Sequence, residues 1–348
     1  MIGLASQYAT VYGSTKGTST IVQQGIFICI GIVVYVVASM VDYRRFRPFG
    51  PILYGTAILL LIAVLFFGKT INSTTGWFRF GTLGFQPIEL VKVFWILIAG
   101  WFLLSRGQHM DSWKTVGFFG LLLLPIVALT MAQPDLGSTL VVLAVTFGLL
   151  LVTNIRRKQV LFIIVIAVLI FVLAWTSFLK PYQKDRILVL IDPGRDPLGQ
   201  GYNVSQSIIA IGSGGWLGRG LGFGPQSQLN YIPAQQTDFI FAVIAEELGF
   251  VGSFVLLSLY GVMLFRCVKI AMMSRESFGT IVSFGVMLLL FFHVLENIGM
   301  TLGLFPVAGI PLPFISYGGS SLIAFIGALG IVQNIAVNAK QSYGAHRS

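Results

Sequence analysis

An aspartate stands where a polar stretch meets an apolar one. Gln235-Gln236-Thr237-Asp238-Phe239-Ile240-Phe241-Ala242 ends a loop that runs from Leu179 to Thr237 and begins a run long enough to enter a bilayer. A carboxylate beside lipid loses water, which raises its pKa and suits it to take a proton as a general base. It can also ligate a metal, or cap the helix that follows. Phe241 holds the third helical position, so no capping box forms. A second ionisable set is Glu89 and Lys92 in Gln86-Pro87-Ile88-Glu89-Leu90-Val91-Lys92. Pro87 fits a helix start, and residues three apart share a helix face. Such charges inside a membrane pair with each other or line a cavity. The pair is either structural, or a phosphate-binding Lys92 oriented by Glu89.

Other polar groups surround these. Gly201 to Gln228 is dense in glycine, which lets backbone come close to a ligand or the bilayer. No strand precedes it, so it is not a nucleotide-binding fingerprint. Arg186 and Arg219 are candidate pyrophosphate binders, and Gln206 and Ser207 are candidate polar contacts for substrate. Ser207 to Ile211 is expected to form a short surface helix. Arg79, after Gly76-Trp77-Phe78, is a further candidate cation. In Gly309 to Ser321, Pro311 and Pro313 interrupt any helix. Ser316 and Ser320 are candidate contacts there, and Ser320 and Ser321 can cap a helix whose N-terminus could hold an anion. Asp135, in Pro134-Asp135-Leu136-Gly137-Ser138, reads as a turn and cap. Glu246, Glu247 and the stripe His293, Glu296, Asn297 are either a satisfied interhelical network or an ion path.

The elements that position these residues are membrane helices. The chain has 348 residues, 56% hydrophobic and 10% charged, with mean hydropathy +0.88. Spans are expected near 25–41, 50–67, 86–104, 116–132, 138–153, 160–178, 239–265, 278–304 and 318–338. Backbone in lipid must satisfy itself, and strand alternation is absent, so the fold class is an all-α polytopic membrane protein. Residues 1–348 form a single integral membrane domain, with the loop 179–237 inside it. Met1 to Tyr12 reads as the outer part of a first helix. Cys29 and Cys267 provide neither a disulfide framework nor a metal spacing.

Charge sets the orientation. One set of connections and the tail hold 13 Lys and Arg residues, while the short connections on the other side hold 3. The richer side is cytoplasmic by the positive-inside rule, as is the C-terminus, which makes 179–237 extracytoplasmic. The net charge of +10 is therefore mostly a topology signal and implies no nucleic acid.

Together these segments resemble the SEDS family of bacterial cell-wall polymerases (shape, elongation, division and sporulation). The matching stretches are 86–92, 133–140, 180–187, 201–252 and 297–322, in family order over almost the whole chain. Residues 180–187, the Gly-Ile-Pro-Leu-Pro-Phe run and the short tail look more like the elongation member than the division member. The family usually has basic residues directly before the tryptophan that matches Trp77, whereas here Arg79 follows it. The resemblance implies ten membrane helices, the first only partly present. It implies a glycosyltransferase in the bacterial cytoplasmic membrane that polymerises lipid II, an undecaprenyl-diphosphate-linked disaccharide pentapeptide, into β-1,4 glycan at the outer face. The family's essential loop carboxylate maps onto Asp238. The resemblance further implies a divalent cation, Mg²⁺ or Mn²⁺, for which Asp238 is a possible ligand. The implied partners are a class B penicillin-binding protein, other elongation-complex membrane proteins, the nascent glycan and the bilayer. A rival reading is a lipid II flippase or other transporter, in which the indispensable acid would lie at mid-membrane.

Overall fold

The computed structural model describes residues 3, 7, 15–71, 74–81, 83–106, 112–153, 155–178, 181–196 and 199–344. Most of the segment expected to be a partial first helix, 1–12, therefore lies outside the described residues. The long helices are α1 (Thr15–Met40), α2 (Gly50–Phe67), α3 (Pro87–Arg106), α4 (Trp113–Ala132), α5 (Leu136–Leu151) and α6 (Arg157–Leu173). Shorter helices α7 (Pro181–Ile191), α8 (Gln200–Ser213) and α9 (Pro225–Gln228) follow, then α10 (Ile240–Met273), α11 (Ser277–Thr301) and α12 (Gly319–Gly344). Among the described residues, 8 helices are long and apolar enough to cross a membrane. The expected span at 138–153 falls on α5, which has 16 residues. A bilayer crossing takes about 20. The loop 179–237 holds α7, α8 and α9 rather than irregular chain.

The chain divides into two compact units. One comprises Gln23–Ile155, Gly261–Phe292 and Gly318–Ser348. Its centre is α3, against which α2, α5 and α12 pack. The apolar window of α3 is 72% buried, which suits a helix surrounded by others. Trp95 donates its indole N–H to the Thr146 hydroxyl at 2.7 Å and stacks on Phe119. Satisfying the one polar atom of a fully buried tryptophan this way fixes α5 against α3.

The same unit holds a small sheet that the residue pattern did not reveal. Strands β1 (Lys69–Ile71), β2 (Thr74–Phe80) and β3 (Leu83–Phe85) pair antiparallel in the order β1-β2-β3. Lys69 faces Trp77, and Arg79 faces Gly84. A Cβ on Gly84 would stand 3.2 Å from the Trp77 ring, so glycine lets the indole lie across β3. Two of the strands have only 3 residues, too few to show alternation.

The other unit comprises Met1–Val22, Arg156–Tyr260 and His293–Tyr317. Its helix α6 has an apolar window that is 0% buried, as expected of a helix facing lipid on every side. A buried cluster of Val204, Ala210, Ile232, Phe239, Ala242, Met300 and Val307 ties α8, α10 and α11 together.

The span expected at 239–265 falls on α10, which is kinked at Gly249 into two helical segments. Gly249 has φ 65° and ψ −162°, a conformation open to glycine. The break frees carbonyls before it and amides after it, and the glycine-rich loop satisfies both. Arg219 and Gly220 donate their N–H groups to the carbonyls of Glu246 and Glu247 at 2.9 and 3.0 Å. In return the carbonyls of Gly215 and Trp216 accept from Phe250 and Val251 at 2.9 and 3.1 Å. Broken backbone inside an apolar segment is tolerated only where such partners exist. The glycines permit the contact: a Cβ on Gly218 or Gly214 would collide with the carbonyl of Glu247 or Ala245. The glycine density thus serves a close approach to α10 itself.

Candidate active site

Asp238 lies on a short tether between a turn at Ala234 and the start of α10. Ala234 takes a positive φ of 50°. Its carbonyl accepts from the N–H groups of Thr237, Asp238 and Phe239 at 3.1, 3.1 and 3.3 Å. Three successive carbonyls, those of Gln236, Thr237 and Asp238, then need donors of their own. Tyr317 N–H donates to Gln236 at 2.8 Å, the Ser316 hydroxyl to Thr237, and the Asn297 side-chain amide to Asp238 at 2.9 Å. Ser316 Oγ also accepts from Leu312 N–H at 2.8 Å. Directly after Asp238, the buried Phe239 anchors the tether in the apolar cluster. A carboxylate held in this way loses little freedom when it acts.

Asp238 is half-buried. Loss of water pushes its carboxyl up from 3.8 to about 6, against the opposing effects of the Thr237 hydroxyl and the Arg186 charge. A Cβ on Gly309 would stand 3.7 Å from Asp238 Oδ2, so the backbone of the 309–317 loop runs close past the carboxylate.

The stripe on α11 is part of this frame. Asn297 donates to the Ile310 carbonyl at 2.7 Å, and His293 Nδ1 lies 3.4 Å from the Pro311 carbonyl. Tyr260 donates its hydroxyl to the Pro313 carbonyl. A loop interrupted by prolines cannot form its own ladder, so its carbonyls take side-chain donors. Glu246 and Glu247 are likewise engaged. Glu246 accepts from the N–H groups of Gln226 and Ser227 at 2.8 and 3.0 Å. Glu247 accepts from Gly222 N–H at 3.0 Å. Both acids therefore hold the loop at 222–227.

The remaining candidates have distinct surroundings. Ser207 is buried on α8, with its hydroxyl donating to the Thr301 carbonyl at 2.8 Å. Gln206, beside it, is partly exposed. Arg219 is exposed, and its Nε donates to the Ser213 carbonyl at 2.8 Å. Arg186 lies on α7. In the other unit, Arg79 is exposed on β2. Lys92 and Glu89 form an ion pair of 2.7 Å, their side chains 1% and 2% exposed. Glu89 Oε2 has no hydrogen-bond partner among the described residues. Ser320 Oγ accepts from Gln86 N–H at 2.9 Å at the entry to α3. Asp135 caps α5 through Ser138 N–H at 3.0 Å and accepts from the Gln86 side chain at 3.3 Å. Sequence reading did not single out Asn297 or Thr237 as site residues. Asn297 stood only in a polar stripe, and its contact with Asp238 spans 59 positions.

The chain has close relatives throughout its length. The sequence profile of the FtsW, RodA and SpoVE cell cycle proteins matches residues 1–341. The peptidoglycan glycosyltransferase MrdB of Escherichia coli K12 is 39% identical over 313 residues, covering 90% of this chain and 84% of that protein. A chain from a peptidoglycan synthase complex, described as coordinating polymerization and crosslinking, superposes with TM-score 0.82 at 36% identity, covering 97% of this chain and 96% of that one. The rod shape determining protein RodA of Thermus thermophilus superposes with TM-score 0.71 at 29% identity, covering 97% and 92%. With its motifs, its helices and its sequence in agreement, the chain belongs to the FtsW, RodA and SpoVE family, the SEDS family.

Proposed function

We propose that this integral membrane protein is a peptidoglycan glycosyltransferase of the elongation type, which extends β-1,4 glycan from lipid II with Asp238 as general base. The observation that carries the base assignment is the framed Asp238, half-buried, with its carboxyl pushed up to about 6. A base is most effective when its pKa lies near the working pH. In the reaction the acceptor 4-hydroxyl attacks C1 of the donor sugar and gives its proton to Asp238. The bond from C1 to the diphosphate breaks, and undecaprenyl diphosphate leaves. An α-linked donor giving a β linkage needs one inversion, so one base suffices without a covalent carboxylate intermediate. Arg186, whose charge reaches Asp238, is the proposed partner for the diphosphate. In the other unit, Lys92 is a separate proposed cation for diphosphate; at 1% exposure it must be uncovered before it touches a ligand. Gln206, Arg219 and Ser316, in the same unit as Asp238, are further proposed substrate contacts, and Arg79 and Ser320 are proposed contacts within the other unit.

No group of three or more His, Cys, Asp and Glu among the described residues could cage a metal. A single accessible carboxylate still suits Mg²⁺ or Mn²⁺, which are commonly held by one or two carboxylates together with substrate phosphates. Asp238 would hold the ion, and the ion would offset charge on the leaving diphosphate. The reaction is proposed to occur at the outer face of the bacterial cytoplasmic membrane, with 179–237 extracytoplasmic and the C-terminus cytoplasmic. A class B penicillin-binding protein is the proposed crosslinking partner, within an elongation complex of membrane proteins. The flippase reading would place the indispensable acid at mid-membrane; Glu246 and Glu247, the next acids along the chain, each accept from loop amides. The test is polymerisation of labelled lipid II by the purified protein and by Asp238→Asn. Glycan chains from the first and none from the second are expected. Near-normal synthesis by Asp238→Asn would falsify the base assignment.

A further inference from the structure

A cavity of about 440 Å³ opens between the last turns of α10 and the C-terminal half of α12. Ile270, Ala336 and Val337 contribute apolar walls, Gln333 a neutral polar group, and Arg266 and Lys269 two cations. The cations are three residues apart on α10 and share a helix face. Among the described residues, no acid lines the cavity. Among the described residues the ion pairs are Arg44 with Glu276 and Lys92 with Glu89, neither of which involves these two cations. Phe265 and Met272 nearby on α10 are 62% and 72% exposed, and Val337 on the wall is 40% exposed. The cavity therefore opens onto an apolar surface of a membrane helix.

We infer that this cavity binds an anionic phospholipid, its phosphate between Arg266 and Lys269 and its acyl chains along the apolar flank of α10 and α12. Charge selects an anion, and the apolar walls select an amphiphile over a free phosphate. A cavity of this size accommodates a headgroup with its first methylenes. Basic pockets between membrane helices are favourable sites for such headgroups. The binding requires only that the chain be an integral membrane protein; it is independent of the base assigned to Asp238.

The experiment is native mass spectrometry of the full chain extracted from bilayers with equal amounts of phosphatidylglycerol and phosphatidylcholine. The wild-type protein is expected to retain phosphatidylglycerol over phosphatidylcholine by about tenfold or more. Arg266→Gln/Lys269→Gln should lose that preference, and Arg266→Lys/Lys269→Arg should keep it. Ala336→Phe fills the cavity with both charges intact and should also lose it. Equal retention of the two lipids by the wild type would overturn the inference. So would an unchanged preference in Ala336→Phe, which would mark diffuse surface attraction in place of a cavity. Displacement of the bound lipid by millimolar inorganic phosphate would instead identify a free-phosphate site and equally overturn it.

Discussion

Asn297 donates its side-chain amide to the backbone carbonyl of Asp238 at 2.9 Å and to that of Ile310 at 2.7 Å. One residue on α11 thereby ties the proposed base to the proline-bearing loop that passes over it. Asn297→Ala leaves two carbonyls without a donor, which costs about 1–3 kcal/mol each where they are buried. Polymerisation is expected to fall by roughly 10²-fold through kcat, since misplacing a catalytic group costs rate. Lipid II affinity is expected to change little. Steady-state kinetics together with a binding assay separate the two, and a pure affinity loss would contradict the positioning role.

The raised pKa of Asp238 has two consequences. As a base it must be ionised, so kcat/KM should rise with pH through about 6. The folded state also holds this proton more tightly than the unfolded chain, whose ordinary value is 3.8. The contribution to stability is therefore full below about 3.8 and is lost as pH rises through about 6. Asp238→Asn escapes that loss. Its Tm should match the wild type at pH 4 and exceed it at pH 8, while activity drops roughly 10²-fold or more. Thermal unfolding at both pH values checks this, and a lower Tm for the variant at pH 8 would contradict it.

The clasp around Gly249 discriminates among glycines. Gly218 has φ +82° and faces the Glu247 carbonyl, whereas Gly215 has φ +54° and open space where a Cβ would go. Gly218→Ala should cost about 3 kcal/mol or more, from backbone strain plus the collision. Gly215→Ala should cost about 1–2 kcal/mol, from the left-handed conformation alone. Gly212, on α8 with open space around it, should accept alanine without loss. Unfolding temperatures of the three purified variants should follow that order.

For Glu89 and Lys92, one double-mutant cycle separates structure from binding. Lys92→Met strands a buried carboxylate, at a cost of about 3–5 kcal/mol. Glu89→Gln/Lys92→Met should recover stability. If Lys92 meets the diphosphate, the double variant remains inactive and binds lipid II poorly. Recovered polymerisation would assign the pair a structural role only.

Sidedness can be read by chemical labelling. Cys29 is exposed and Cys267 buried, so both are first replaced. A single cysteine at Gln228 should then react with an impermeant thiol reagent in intact cells, and one at Arg157 should not. The reverse pattern would place Asp238 on the cytoplasmic side.

The sequence alone settled the class of protein, because apolar length is a local property that a bilayer reads segment by segment. It also marked Asp238, since a lone acid at the edge of an apolar run is visible without coordinates. The Asp135 cap and the pairing of Glu89 with Lys92 were legible for the same reason: the partners are 3 residues apart. The three-stranded sheet was hidden because two of its strands have 3 residues each, too few to show a period. The roles of Glu246, Glu247 and the glycines emerged only from the tertiary structure. A glycine records that something comes close, not what, and here the neighbour was the kinked helix α10. The frame around Asp238 was hidden most deeply. Its donors on Asn297, Ser316 and Tyr317 lie 59 or more positions away, and they bond backbone carbonyls that every residue carries. A side-chain pattern cannot announce a partner that has no side-chain signature, so only the folded chain shows which donor each carbonyl takes.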